Sequence, residues 1–148
     1  MLPLIVLLGS LAVLRSLGLA GVAPLGNWEL PLRISLALMF VLTVSAHWGK
    51  GRPDLIRMVP RVFPAPAVII TITGILELLG AAGLVIPGTA RAAAICLFLL
   101  LIAMFPANIR AAREQLTIMG RPVMGVAARG LVQAIFLAAL TAVALGWR

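Results

Sequence analysis

Side chains that could do chemistry are few in this chain, and five of them interrupt or border long apolar segments. They are His47, Glu77, Asn108, Arg129 and Gln133. Arginine presents a planar fork of N–H groups that can hold an oxygen acceptor, and histidine or asparagine can give or take a hydrogen bond. A glutamate inside a membrane can carry a proton or bind a cationic ligand. We therefore take these five as candidate ligand-binding residues.

Four of the five are predicted to lie at one level of a membrane. His47 closes one apolar segment, Asn108 follows Pro106 near the end of another, and Arg129 and Gln133 are one helical turn apart on a third. Pro106 has no N–H, which frees the carbonyl of the fourth residue before it for Asn108 or a water. The pattern predicts a pocket that opens to the cytoplasm. The alternative is hydrogen bonding between helices, with Arg129 snorkelling to the surface.

Arg15 and Glu77 are predicted to lie near the middle of the membrane. Glu77 stands about eleven residues into its apolar segment and Arg15 about thirteen into the first one, which corresponds to roughly 16 and 20 Å at the helical rise. Similar depth and opposite charge favour a structural Arg15–Glu77 ion pair. A ligand-binding Glu77 is the alternative.

The sequence contains few residues that could bind a metal ion or a cofactor. The chain has one histidine and one cysteine, Cys96, so an internal disulfide and a metal site of Cys and His ligands are both excluded. We expect Cys96 to be a small buried apolar residue. Neither a haem-binding histidine pair nor a dinucleotide fingerprint occurs. With no catalytic motif either, we expect that the chain is not an enzyme on its own and that a bound molecule would be a quinone or a lipid.

Five apolar segments must position these residues. Each approaches the roughly 20 residues that a spanning helix needs, and 63% of all residues are hydrophobic against 11% charged. The segments lack the alternation of a barrel strand, so we predict an all-α, polytopic transmembrane bundle with five spans. We label the segments A to E, and they cover Leu2–Leu25, Leu30–Trp48, Ala65–Ile86, Ala90–Ile109 and Gly125–Trp147.

Basic residues sort unevenly between the two ends of the predicted spans. The B to C and D to E connections hold most of the twelve Lys and Arg, whereas Arg33, Arg91 and Arg148 lie at the other end. The positive-inside tendency then places the N-terminus and both basic loops in the cytoplasm and the C-terminus outside. The formal charge of +8 is expected to attract anionic lipid head groups. Nucleic-acid binding is not expected, because there is no aromatic platform between the charges.

Residues typical of helix ends and turns separate the segments. Trp28, Trp48 and Trp147 mark the interface ends of segments, and Pro87-Gly88-Thr89 predicts a tight turn that makes C and D antiparallel neighbours. Residues 53–59 are predicted to form a short helix on the membrane surface, with its apolar side chains towards lipid. Segment A does not look like a cleavable signal peptide, because no basic residue precedes its apolar run.

Six stretches after Arg33 carry a resemblance to a known family: His47-Trp48, residues 58–64, Thr73-Gly74-Ile75-Leu76-Glu77, residues 83–87, Phe105-Pro106-Ala107-Asn108 and residues 129–133. From Arg33 onward the chain thereby resembles the DoxX family of small bacterial membrane proteins. The resemblance covers about three quarters of the chain and implies a DoxX-like four-helix bundle over residues 29–148, with residues 1–28 as an additional N-terminal span in one transmembrane domain. It also implies a bacterial cytoplasmic (inner) membrane location and an association with quinone-linked redox systems.

Two functions from different classes follow from these observations. The first is a redox-associated membrane subunit that binds a quinone-like or other lipophilic molecule between segments B, C, D and E. The second is a non-catalytic scaffold or assembly partner of another membrane protein, in which the polar residues only fix the bundle. A small transporter is a weaker alternative, since the short chain has no internal repeat and would have to form a homo-oligomer.

Overall fold

The computed structural model describes residues 1–118 and 120–146, and within them five helices are long and apolar enough to cross a membrane. This confirms the predicted fold class, an all-α bundle of five spans. Trp147 and Arg148, which we expected at an interface and at the outer end, lie outside the described residues. The spanning helices are α1 (Leu2–Leu19), α2 (Glu29–Trp48), α4 (Pro66–Val85), α5 (Ala90–Arg113) and α6 (Val126–Leu145).

Shorter elements join the spans. A 3₁₀ turn at Ala23–Leu25 precedes α2, and the short helix α3 covers Arg52–Met58. A two-residue hairpin of β1 (Thr117–Ile118) and β2 (Arg121–Pro122) precedes α6. The predicted short helix is thus present, but our assignment of its apolar side was partly wrong. Met58 and Val59 are 6% and 7% exposed, so they pack against protein rather than lipid.

Two predicted boundaries also need correction. Segment A was drawn too long, because α1 ends at Leu19 and Gly21 takes a positive φ of 103° that breaks the helix. Segment D was drawn too short, because α5 continues through Pro106 to Arg113. The first error moves the position of Arg15 from the middle of a span to its last turn.

Helix α2 lies at the centre of the bundle. It packs against α1 on one side and α4 on the other, while α4 contacts α5, α5 contacts α6, and α6 returns to α2. More than half of its most apolar stretch is buried, a larger share than in any of the other four spans. The core consists of large apolar side chains from all five spans, among them Leu7, Leu36, Phe40, Leu84, Leu97 and Leu140.

Glycines let α4 and α5 pack closely. A Cβ atom on Gly80 would lie 2.5 Å from Leu97, and one on Gly83 would lie 2.8 Å from the Cβ of Ala93. Thr89 closes the connection by donating a hydrogen bond of 2.9 Å to the Gly83 carbonyl. The two helices are therefore antiparallel neighbours, as the short turn predicts. Small residues at such contacts are typical of helices in membranes.

Candidate functional site

A buried polar group joins α2 to α4. Thr43 Oγ1 lies 2.7 Å from Glu77 Oε2, and His47 Nε2 lies 3.8 Å from Glu77 Oε1. Thr73 on α4 adds its hydroxyl 3.4 Å from His47 Nε2. Both His47 and Glu77 are only 3% exposed. We call Thr43, His47, Thr73 and Glu77 the α2–α4 polar group.

The hydrogens of this group can be arranged in two ways. Thr43 Oγ1 is also 2.8 Å from the Phe40 carbonyl, and a hydroxyl has one hydrogen to donate. An ionised Glu77 accepts that hydrogen. A protonated Glu77 instead donates to Thr43, which then donates to Phe40. Glu77 therefore has a hydrogen-bond partner in either protonation state. This partner removes most of the free-energy cost of burying its carboxyl group.

The orientation of His47 is set by the turn that precedes it. Its Nδ1 lies 3.3 Å from the Thr43 carbonyl. An N–H at Nδ1 would donate to that carbonyl and leave Nε2 as an acceptor for Thr73. Arg52 reinforces this end of α2, because its Nη1 donates to the His47 carbonyl at 2.8 Å and its Nη2 to Thr71 Oγ1 at 2.9 Å. The histidine is thus held by α2, α3 and α4 together.

Gly74 permits the contact between α2 and α4 at this level. A Cβ atom there would lie 2.9 Å from the His47 Cβ and from the Trp48 ring. We expect Gly74→Ala to lower the free energy of unfolding by about 1–3 kcal/mol, because a well-packed contact must be forced apart. Unfolding in mixed micelles measures the loss. Gly9→Ala is the matched control, since a Cβ on Gly9 of α1 meets no atom within 4 Å; equal behaviour of both variants would contradict the close approach.

The predicted Arg15–Glu77 ion pair is wrong. Arg15 Nη1 donates to the carbonyls of Leu25 and Gly26 at 3.1 and 2.6 Å, and its guanidinium lies 4.3 Å from the centre of the Trp28 ring. The physical reason is depth: α1 ends four residues after Arg15, so the side chain reaches the connection to α2. A cation stacked on an interfacial tryptophan is stabilised there without a carboxylate.

A second polar group joins α5 to α6. Gln133 is 8% exposed, and its Nε2 donates to the Leu101 carbonyl at 3.0 Å. Asn108 Nδ2 lies 3.4 Å from Gln133 Oε1. The predicted use of the carbonyl freed by Pro106 is not seen, because Gln133 reaches Leu101, one residue before that carbonyl, and Asn108 reaches Gln133. We call Asn108, Arg129 and Gln133 the α5–α6 polar group.

Arg129 differs from Asn108 and Gln133 in its hydrogen bonding. It lies one turn before Gln133 on α6 and is partly buried, and its Nη1 atom is enclosed without a hydrogen-bond partner among the described residues. A guanidinium keeps its charge in proteins, so an enclosed N–H without an acceptor is costly. An oxygen atom supplied by another molecule would remove that cost.

The single predicted pocket divides into these two groups. Within residues 1–118 and 120–146, no hydrogen bond or ion pair joins His47 or Glu77 to the α5–α6 polar group. A groove of about 500 Å³ lies between α3 and the end of α5, and an adjoining one of about 470 Å³ lies between Pro60 and the last turns of α5. None of the five predicted residues lines either groove. Cys96 is also exposed rather than buried. The described residues hold no group of three or more ligands suited to a metal ion.

Sequence reasoning missed Arg33, which is 5% exposed. Its Nε donates to the Leu84 carbonyl at 2.7 Å and its Nη2 to the Val85 carbonyl at 2.9 Å, while Nη1 lies 3.5 Å from Glu29. The arginine thereby satisfies the open carbonyl end of α4, which attracts positive charge. A signal was present in the sequence, because Glu29 and Arg33 are spaced four residues apart at the start of a span.

Comparison with known proteins gives one family. Residues 36–145 match the family described as Domain of unknown function (DUF8561), which covers most of α2 and all of α4, α5 and α6. Searches of the curated proteins and of the solved structures found no match.

Proposed function

The chain belongs to the DUF8561 family, and we propose from its own geometry that it is a membrane subunit that binds a lipophilic molecule at Arg129. The observation that carries this proposal is the enclosed Arg129 Nη1, which has no acceptor among the described residues. A quinone ring carbonyl or a lipid ester oxygen would supply one, and Asn108 and Gln133 lie on the adjoining helical surfaces to orient it. The aliphatic part of such a molecule would lie along the apolar helices.

The finer parts of this proposal rest on resemblance. The association with a quinone-linked redox complex follows from the likeness to the DoxX family and stays a prediction, as does the location in a bacterial cytoplasmic membrane. The chain's own contribution would be to bind and orient, since the residues around Arg129 are hydrogen-bonding groups.

A ligand titration tests the proposal. Decylubiquinone added to the detergent-solubilised chain is expected to raise its unfolding temperature progressively, since a ligand at a hundred times its Kd adds about 2.7 kcal/mol of stability. Arg129→Leu should abolish that gain while the protein still folds. Arg113→Leu is the control, because Arg113 is an exposed arginine at the end of α5. A phospholipid used in place of the quinone tells whether a lipid is the preferred occupant.

A scaffold or assembly role is the second candidate, and the α2–α4 polar group favours it. His47 and Glu77 are buried and bonded to the neighbouring helix, so their side chains stabilise the bundle rather than face a cavity. If Arg129→Leu keeps the full response to quinone and phospholipid alike, or if the wild-type chain shows none, the scaffold role becomes the better account.

For orientation, we propose that α3 and the hairpin face the cytoplasm. The two elements lie at the same end of the bundle, because α3 packs on β1 and Arg110 of α5 donates to the Val59 carbonyl. Eight of the twelve basic residues belong to this end, which the positive-inside tendency places inside. They are Lys50, Arg52, Arg57, Arg61, Arg110, Arg113, Arg121 and Arg129.

Enzyme fusions check this orientation. Alkaline phosphatase is active only outside the cytoplasm, so a fusion after residue 148 is expected to be active and one near Gly51 inactive. The pattern should hold with comparable amounts of both fusion proteins in the membrane. Activity at Gly51 without activity after residue 148 would reverse the topology.

A further inference from the structure

We infer that the groove between α3 and the end of α5 binds the phosphate group of an anionic phospholipid. The site shares no residue with the Arg129 site and does not depend on it. The groove measures about 500 Å³ and is lined by Arg57 on α3, Pro60, Arg61 and Phe63 after it, and Arg110 and Glu114 at the end of α5, with four further apolar or proline residues.

Charge in the groove favours an anion. Its lining has three arginines and one glutamate, and Asp54 beside Arg57 lowers the local surplus to one positive charge. Arg110 is already engaged, because it donates to the Val59 carbonyl and to both carboxylate oxygens of Glu114. Arg61 is exposed and makes no hydrogen bond or ion pair with any described residue. Arg61 is therefore the arginine best placed to take a phosphate oxygen, and Arg57, whose Nη2 donates to Asp54, lines the same groove.

Glu114 does not neutralise the site. The hydrogen bond from Arg110 lowers the pKa of Glu114, and the nearby charges of Arg110 and Arg61 lower it further. Its carboxylate is thus ionised at neutral pH and occupied by Arg110. A phosphate approaching Arg61 meets a carboxylate whose charge is already balanced.

The surroundings of the groove favour a lipid over a soluble anion. Pro60 and Phe63 close a turn through a backbone hydrogen bond of 3.0 Å, and Arg61 and Val62 lie at its centre. Val62 is 83% exposed and Phe63 51% exposed, beside a surface helix at the ends of the spans. Apolar side chains at this level enter the acyl region, while arginines beside them meet head groups. One groove thus offers a place for both parts of a phospholipid.

Native mass spectrometry of the full chain tests the site. The chain in neutral detergent is titrated with phosphatidylglycerol or with phosphatidylcholine of the same acyl chains. We expect phosphatidylglycerol to bind more tightly, and Arg57→Gln with Arg61→Gln to weaken it by roughly 25-fold, since each basic residue near a membrane surface contributes about fivefold. Lys50→Gln with Arg121→Gln removes the same charge from the same end outside the groove. It should weaken binding by less than about threefold, because exposed charges that do not contact the phosphate are screened by water and salt.

Four results would overturn the inference. Equal losses in the two double variants would mean that diffuse surface charge, rather than the groove, attracts the lipid. Equal affinity for phosphatidylcholine would remove the role of the anionic head group. Displacement of phosphatidylglycerol by excess inorganic phosphate, or binding of a polyglutamate peptide that needs Arg57 and Arg61 while the lipid does not bind, would assign the groove to a soluble anion or an acidic protein segment.

Discussion

Replacing Arg33 by leucine is expected to lower the free energy of unfolding by about 4 kcal/mol. Arg33 is almost fully buried and donates to the Leu84 and Val85 carbonyls. A hydrogen bond from a charged donor contributes about 1.5–3 kcal/mol, and two are lost together. Leucine would leave the carbonyl end of α4 without partners in a place where water is scarce. Unfolding in mixed detergent micelles measures the difference.

Two further variants separate the hydrogen bonds from the charge. Arg33→Lys keeps the charge but loses the planar fork, so we expect an intermediate stability. Arg91→Leu removes an exposed arginine from the same end of the bundle and should change stability by no more than about 0.5 kcal/mol. If Arg91→Leu costs as much as Arg33→Leu, the loss reflects the charge at this end and the capping role is contradicted.

Truncating Glu77 is the second large effect that we expect. Glu77→Ala should lower the free energy of unfolding by about 3 kcal/mol, because it opens a cavity and removes the acceptor that faces Thr43 and His47. Glu77→Gln should cost only about 1 kcal/mol, since the amide keeps the volume and can still accept from Thr43.

The comparison between these variants tells what the carboxyl group does. Glu114→Ala serves as a control, because that glutamate is exposed at the end of α5 and its loss should leave the bundle intact. If Glu77→Gln is as unstable as Glu77→Ala, the negative charge of Glu77 is essential and the two-way hydrogen-bond arrangement with Thr43 is not the reason for its burial.

The spans could be predicted from sequence because apolar length alone identifies them. Their ends were harder to place. Leu19, where α1 ends, lies in a run that stays apolar to Leu25, and the break depends on the backbone at Gly21. The consequence was large for Arg15, since a boundary error of six residues amounts to about 9 Å of depth at the helical rise.

The partners of the polar residues could not be predicted in the same way. Glu77 contacts Thr43 and His47 because Gly74 lets α2 approach α4 at that level. The apolar pattern of a single helix does not predict its register against a neighbouring helix. Asn108 and Gln133 were expected at one level of the bundle, and their side chains lie 3.4 Å apart, from Nδ2 to Oε1. His47 instead belongs to the α2–α4 polar group, because Gly74 lets α2 approach α4 at the level of this histidine.

The measurement closest to the proposed function is to ask what the purified protein carries. The wild-type chain and Arg129→Leu would be purified from the same membranes in parallel, extracted with organic solvent and analysed by mass spectrometry, with Arg113→Leu as the control. We predict that a quinone or a single lipid species is retained by the wild type and by Arg113→Leu, and is lost from Arg129→Leu. Equal retention by all three proteins, or none in the wild type, would contradict a ligand site at Arg129.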